Sequence, residues 1–500
     1  MEIARRGILV IVIVLLFGKP VAFGQSLVQI SVDTRSGGFA IPSDFVGLSF
    51  EMSSMKKNNA GIRGYLFDST DSQCVHLFRE LGIRSLRMGG NSADYSAYKP
   101  SHSDIDALFG FAKASGARII YTLRLLNSIP LQDASTARYI CSRYGRFLDS
   151  FAIGNEPDWH SFHVRDPEIF ESVPGVPGSA FPSYKAKWRR IASAVLDSVP
   201  GAEFSGPDAG SNYPLPGSKD TDFDGRSWYS LFPDAVSGAI GGHPLILKFL
   251  AIHNYTGEDA KGRHITPHEM IDEMLSARWD TVYYPMLLRR MKNATVSSGL
   301  KVRLTETNSF SGSVQGGSNS FATALFALDY MHWWAAHGCL GVNFHTTQWK
   351  YNGTIVLGST GRLDVYPMAY GIKAFDIGGH GRVVSLKSCI RNKLNLTAYA
   401  VKRKDEIFIT IINKEHGKSA RDAAVTLLPN SSWRNAAVMY LSANSATATS
   451  GVTLGGATIS SIGAFKALWL PLRRPARGGI RLNVHAFSAA IVRIHLQPKS

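Results

Sequence analysis

The chain has 500 residues, 45% of them hydrophobic, with 54 Lys and Arg against 38 Asp and Glu and only four Cys. That length exceeds one small core and asks for a large domain with a smaller companion, while the composition excludes a disordered or collagen-like chain. Four Cys without a CxxC pair exclude a disulfide framework and argue against a structural zinc cluster, and the absence of HExxH and GxxxxGK[ST] removes the simplest metalloprotease and P-loop readings.

Arg5 and Arg6 precede an apolar run over 8–18, followed by Ala22-Phe23-Gly24 with small residues two apart. This reads as a secretory signal peptide over 1–24, cleaved near Gly24 and Gln25, which places the mature chain outside the cytoplasm, in a periplasm or the extracellular space. The apolar run is short for a bilayer span, and no later run is long and apolar enough to cross a membrane. Residues 27–32 have a strand pattern, and the segment 25–45 is expected to join a sheet formed later in the chain.

From 46 to 375, strand-like and helical segments alternate. Strands are expected at 45–50, 83–88, 117–123, 148–153, 202–205, 246–253, 302–305 and 341–345. Helices are expected at 73–81, 105–114, 134–144, 184–196, 268–291, 321–336 and 368–375. Strand-then-helix repetition predicts parallel strands with crossover helices, and eight strands over this length suggest a (β/α)8 TIM barrel. A doubly wound sheet is the alternative, but no GxGxxG opens a helix after a strand. From 376 to 500 the helical period disappears and short β runs follow one another, which predicts a C-terminal antiparallel β-sandwich.

Two strand ends carry carboxylates. Ala152-Ile153-Gly154-Asn155-Glu156-Pro157 closes the fourth barrel strand, and Arg303-Leu304-Thr305-Glu306-Thr307-Asn308 closes the seventh. Barrel active sites form at the C-terminal strand ends. Pro157 biases Glu156 away from helix and keeps its carboxylate at the strand end. Two carboxylates facing each other across the mouth are what cleavage of a glycosidic bond needs, one as acid/base and one as nucleophile.

The chain resembles glycoside hydrolase family 79, the β-glucuronidase and heparanase family. The resemblance lies in Gly47-Leu48-Ser49-Phe50-Glu51, Arg87-Met88-Gly89-Gly90-Asn91-Ser92-Ala93-Asp94, Gly154-Asn155-Glu156-Pro157-Asp158, His253-Asn254-Tyr255, Thr305-Glu306-Thr307-Asn308-Ser309 and Gly341-Val342-Asn343-Phe344-His345. It implies a retaining glycoside hydrolase cleaving β-glucuronides or uronic-acid-containing glycans, with Glu156 as acid/base, Glu306 as nucleophile and Asn155 on the sugar 2-hydroxyl. Glu51, Asn91 and Asp94 stand at strand ends as candidates for sugar hydroxyls. Tyr255 is a candidate to hold the Glu306 carboxylate, His253 and His345 are candidate site residues, and Trp159 and Trp349 are candidates to stack on a sugar face. Relatives that cleave glucuronides tend to carry a Tyr and glycines soon after the nucleophile, for the sugar carboxylate. Here the segment is Phe310-Ser311-Gly312-Ser313. Ser311 and Gly312 keep backbone donors there without the Tyr hydroxyl, which leaves a neutral β-glycoside as the alternative substrate and an idle carbohydrate-binding barrel as the alternative class.

Nothing in the chain calls for a cofactor or a metal. Asp220-Thr221-Asp222-Phe223-Asp224-Gly225 resembles the start of a calcium loop, but Leu231 stands where a Glu would close it. The four Cys fall mostly on core-like segments and read as free thiols. The net charge of +16 is concentrated at the C-terminus: residues 376–500 hold 18 Lys and Arg against five Asp and Glu. Such a basic domain favours a polyanion, either an acidic polysaccharide or an anionic surface, with Lys402, Arg403, Lys404, Arg473, Arg474, Arg477 and Arg481 as candidate contacts. No nucleic-acid-binding motif accompanies the charge.

Overall fold

The computed structural model describes residues 26–59, 62–160, 166–173, 177–210, 227–257, 264–346, 351–357, 363–390, 393–473 and 479–497. The proposed signal segment, the run 220–225, Trp349, Arg474 and Arg477 lie outside them. β1 (Ser26–Asp33) leads into the barrel strands β2 (Val46–Glu51), β3 (Ser85–Gly89), β4 (Arg118–Leu123), β5 (Leu148–Ile153), β6 (Glu203–Ala209), β7 (Ile246–Gly257), β8 (Val302–Phe310) and β9 (Val342–His345). These eight close in the order β8-β9-β2-β3-β4-β5-β6-β7, and the pairings within the ring are parallel.

Helices α1 (Ser72–Glu80), α2 (His102–Ser115), α3 (Pro130–Tyr144), α4 (Phe181–Ser198), α5 (Trp228–Ala235), α6 (Pro267–Met274), α7 (Tyr284–Ser298), α8 (Ala322–Ala336) and α9 (Met368–Gly378) wrap the barrel. Their starts are encoded locally. The Asp71 carboxylate caps α1 by accepting from the backbone of Gln73 and Cys74, and capping boxes at Ser101/Asp104 and Thr266/Glu269 open α2 and α6. The single helix expected over 268–291 is two. α6 stops at Met274, a π-turn spans Trp279–Tyr283, and α7 starts with Pro285 in its first turn. The break lies at 275–277, and from Arg278 the helix runs on through the π-turn into α7, with Pro285, which has no N–H to give the ladder, at the change from π to α.

Strand alternation sorts the barrel into two environments. Val46, Leu48 and Phe50 of β2, Leu86 and Met88 of β3, and Val342 and Phe344 of β9 join the apolar layer under the helices. The residues between them point inward and are mostly polar: Ser49 and Glu51, Arg87, Asn343 and His345. Inside, Ile120, Ala152, Phe249 and Ala251 form a small apolar plug.

The rest of the chain forms a ten-stranded sheet folded on itself. Its strands are β10 (Arg382–Ile390), β11 (Leu396–Arg403), β12 (Glu406–Asn413), β13 (Ala423–Pro429), β14 (Trp433–Ser442), β15 (Thr453–Leu454), β16 (Leu470–Pro471), β17 (Ile480–Val484) and β18 (Ser488–Leu496), completed by β1. β10 turns the corner: residues 382–384 pair with β11, while 385–390 pair with β1. The sheet is not wholly antiparallel, because β1 runs parallel to β13. Val28, Ile30 and Val32 of β1 meet Ile407, Ile409 and Ile411 of β12 in the core between the layers. The other face of β12, with Phe408 and Ile412, packs on the barrel's apolar layer. α8 is therefore enclosed on every side, with all residues from Ala322 to Ala335 buried. The four Cys are free thiols; Cys74 and Cys339 are buried, but Cys389 is exposed on β10 rather than in a core.

Candidate active site

Glu306 reaches the barrel axis through a fault in strand pairing. Val302 and Leu304 face the helices, so strict alternation would send Glu306 outward as well. The register of β8 slips against β7 between Leu304 and Glu306, and against β9 between Leu304 and Thr307. That irregularity turns the carboxylate inward, as bulges beside active sites do. There it is 6% exposed. Tyr255 donates to Oε1 at 2.7 Å and Arg87 Nη1 to Oε2 at 2.5 Å, while His345 Nδ1 lies 3.6 Å from Oε2. Burial alone would raise this carboxyl, but the charges of His345, His253 and Arg87, with the Tyr255 hydroxyl, hold it well below the usual carboxylate range. Glu306 is an anion.

Glu156 follows β5 with φ 47° and ψ 55°, a left-handed conformation unusual for a side chain with a Cβ. Pro157 disfavours right-handed helix at Glu156, and the Glu156 N–H donates to the Asp208 carbonyl at 2.9 Å, a bond that holds the backbone in the left-handed region. Its Oε1 accepts from His253 Nδ1 at 3.1 Å. One donor atom each of Glu156, His253 and Glu306 lie within 4.8 Å of one another, so the carboxylates face each other at short range. These three are close enough to share one metal ion; Arg87, in the same site, supplies a counter-charge from the protein itself.

Around the pair is a buried polar scaffold. Arg87, fully enclosed, ties Glu306 to Asn155 by donating to Asn155 Oδ1 at 2.8 Å. Asn155 Nδ2 donates to Asn91 Oδ1 at 3.1 Å. His253 bridges Glu156 and Asp208, whose Oδ1 lies 3.2 Å from Nε2. Burial would lower the imidazole, but the Glu306 charge, opposed by Arg87, and the bonds to Asp208 and Glu156 push it up to about 9.

Glu51 fits a rim role. Its Oε2 accepts from Ser92 N and Oγ at 2.7 and 2.6 Å, and Oε1 lies 3.7 Å from His345. Gly90, at φ +65°, passes so close that an added Cβ would sit 2.6 Å from this carboxylate. Asn91 is exposed beside it. Asp94 does not serve as a sugar contact. It is 0% exposed, and its carboxylate accepts from the backbone of Leu125, Leu126 and Asn155 at 2.7, 3.0 and 2.8 Å. It fixes the ends of β4 and β5 from behind, with His160 Nε2 3.5 Å away. Ser311 and Gly312 lie beyond Phe310, the last residue of β8, and no hydrogen bond among the described residues joins them to the carboxylate pair. Trp159 is half-buried, and its indole donates to the Gly210 carbonyl at 3.1 Å.

Sequence reasoning assigned no role to Arg87, Asp208 or His160. Arg87 carried a usable signal, an isolated charge between Leu86 and Met88 at an inward position of a buried strand. Asp208 lies past the strand expected at 202–205, which in the structure runs on to Ala209, and gave none.

No family model matches the chain, and no curated protein matches it in sequence. Solved structures do. A bifunctional glucanase-xylanase from a metagenome library is 15% identical with a TM-score of 0.66, covering 95% of this chain and 100% of that one. A 4-O-α-L-rhamnosyl-β-D-glucuronidase from Fusarium oxysporum is 14% identical with a TM-score of 0.64, covering 92% and 99%. A family 51 arabinofuranosidase from Xanthomonas axonopodis pv. citri is 13% identical with a TM-score of 0.65, covering 94% and 100%. At these identities the likeness establishes the fold: a TIM barrel with a terminal β domain, as in glycoside hydrolases.

Proposed function

We propose that this chain is a retaining β-glycosidase, exported and related to glycoside hydrolase family 79, that cleaves β-glucuronides or uronic-acid-containing glycans. The observation that carries the reaction class is the Glu156–Glu306 pair, within 4.8 Å at the C-terminal mouth of a closed barrel. Retaining enzymes hold their carboxyls about 5–5.5 Å apart, whereas inverting ones leave room for a water. Glu306, kept anionic, is the nucleophile on the anomeric carbon. Glu156 gives its proton to the leaving oxygen and then, as carboxylate, takes one from the water that releases the sugar. Its Oε1 already accepts from His253, so the proton to be transferred is carried on Oε2. The uronide specificity is supported by the resemblance of the strand-end segments and by fold likeness to an enzyme described as a rhamnosyl-glucuronidase. The second reading, a neutral β-glycoside, rests on Phe310-Ser311-Gly312, which lacks a Tyr hydroxyl for the sugar carboxylate. The basic C-terminal region is proposed to hold the enzyme on an anionic polymer or surface.

Proton NMR of the first-formed anomer tests the chemistry: retention is expected, and an inverted product would remove Glu306 as nucleophile. Glu306→Gln should abolish turnover while ligand affinity persists; unaltered turnover would sink the assignment. Aryl β-glycosides with and without a C6 carboxylate decide the substrate. Equal or faster turnover of the glucoside would favour the neutral reading, whereas Ser311→Tyr should raise activity on the glucuronide.

A further inference from the structure

Beyond Asp422 the chain contains no Asp or Glu, while it carries Arg434, Lys466, Arg473, Arg474, Arg477, Arg481, Arg493 and Lys499. Within this carboxylate-free stretch, residues 465–470 alternate strictly in burial. Phe465, Ala467 and Trp469 pack against the main core, and Lys466, Leu468 and Leu470 are exposed. Alternation of this kind puts the exposed three on one face. Leu468 is 68% and Leu470 51% exposed, and Ile462, at 58%, and Arg473 are exposed close by in sequence. The strip is fixed from behind. The Arg493 guanidinium stacks on the Trp469 ring at 4.4 Å, the Leu468 N–H donates to the Gly455 carbonyl at 3.0 Å, and Leu470 pairs with Val438. Its apolar exposure is thus part of the fold. Among the described residues, Lys466 and Arg473 form no ion pair.

We propose that this face docks on an anionic lipid surface. Exposed leucines gain nothing from a hydrated polysaccharide but gain by entering the headgroup–acyl boundary, while the flanking cations meet lipid phosphates. No carboxylate within the strip's own stretch of chain opposes that charge. Attachment would be peripheral, since no helix among the described residues is long and apolar enough to cross a membrane. The orientation follows from the barrel. The Phe465 N–H reaches Glu80 at 3.4 Å, at the C-terminal end of α1. Helices of this fold run opposite to the strands, so that end lies at the face away from the catalytic mouth. Docking there leaves the mouth open to solution and is independent of the reaction proposed above.

Co-sedimentation of the full chain with phosphatidylcholine vesicles, with and without phosphatidylglycerol, tests this. Binding is expected with the anionic lipid alone and should weaken as salt rises. The double variants Leu468→Ser/Leu470→Ser and Lys466→Gln/Arg473→Gln should each lower partitioning about tenfold. Thermal melts should stay at the wild-type value, because all four side chains are exposed. A wild-type chain that stays in the supernatant overturns the proposal. So does a leucine variant that partitions like wild type. If instead the charge variant alone loses retention on an immobilised acidic polysaccharide and vesicle binding is unchanged, the surface serves a polysaccharide and the lipid assignment fails.

Discussion

At the scale of single residues, the site is governed by how the Glu306 charge is shared. A buried carboxylate is costly unless it is paired and hydrogen-bonded; here Arg87 supplies the cation and Tyr255 a neutral donor to the other oxygen. The Tyr255 bond is the one that can be removed without unpairing a charge, so Tyr255→Phe isolates it. We expect kcat to fall roughly tenfold, about 1.4 kcal/mol, with KM little changed. The pH profile should change as well. The folded Glu306 pKa lies below the unfolded value, so this group stabilises the fold above the ordinary carboxylate range, and that contribution is lost as pH falls through the depressed value. Removing a donor that favours the anion raises the folded pKa, and the acid limb of kcat/KM should move to higher pH. An acid limb that stays in place would mean that Arg87 and the histidines alone set the ionisation.

At the scale of elements, the loop after β6 determines where the acid sits. Gly210 accepts from Trp159 through its carbonyl and donates its N–H to Asp158 Oδ1 at 2.8 Å. A Cβ on Gly210 would lie 2.3 Å from Trp159 Nε1 and 2.9 Å from the Glu156 carboxyl carbon. Gly210→Ala should therefore displace Glu156, lowering turnover about tenfold or more with a melting point close to wild type; full activity would mean that Trp159 gives way without moving the acid. The elements differ in how far sequence alone reveals them. The eight barrel strands are legible because parallel strands buried on both faces read as short apolar runs bounded by Gly, Pro or polar residues. The carboxylates stand out because polar groups at the ends of such runs need a reason to be there. What is not legible depends on partners distant in sequence. The β8 register slip, which turns Glu306 inward, arises from its two neighbouring strands. The Asp94 carboxylate is held by backbone donors just beyond the ends of β4 and β5, more than 30 residues away. The left-handed backbone of Glu156 is completed by Asp208, and the break at 275–277 between α6 and the π-turn interrupts an apolar period that a purely periodic reading carries straight through.

At the scale of the whole molecule, the barrel and the terminal sheet are joined by a buried ion cluster. Lys414, between β12 and β13, is 2% exposed and pairs with Asp280 and with Asp329 of α8, the latter at 2.7 Å. Asp329 Oδ1 also accepts from Thr397 and Tyr399 of β11 at 2.6 and 2.7 Å. Burial, then the Asp329 charge, push Asp280 up to about 7, while Lys414 holds Asp329 below its usual range despite burial. A carboxyl whose folded pKa is raised stabilises the fold at acid pH, and that contribution disappears as pH rises through about 7. His253 acts in the same direction. So does His160, which burial would lower but Asp166 and Asp94 raise to about 9. Both histidines are raised from 6.5 to about 9, so their stabilisation is complete below 6.5 and lost as pH climbs to about 9. The melting temperature should therefore be highest on the acid side of neutrality and decline through the alkaline range. Lys414→Met removes the cation that, among the described residues, pairs both carboxyls and leaves them in a dry junction, a loss of about 3–5 kcal/mol. Without Lys414 both carboxyl pKa values rise, so the variant should hold a proton at neutral pH and lose stability more steeply than wild type as pH increases. Melts of both proteins across this range check the argument. Parallel curves with no offset would show that the two parts are held together by apolar packing of β12 and α8 alone, with the ion cluster contributing nothing.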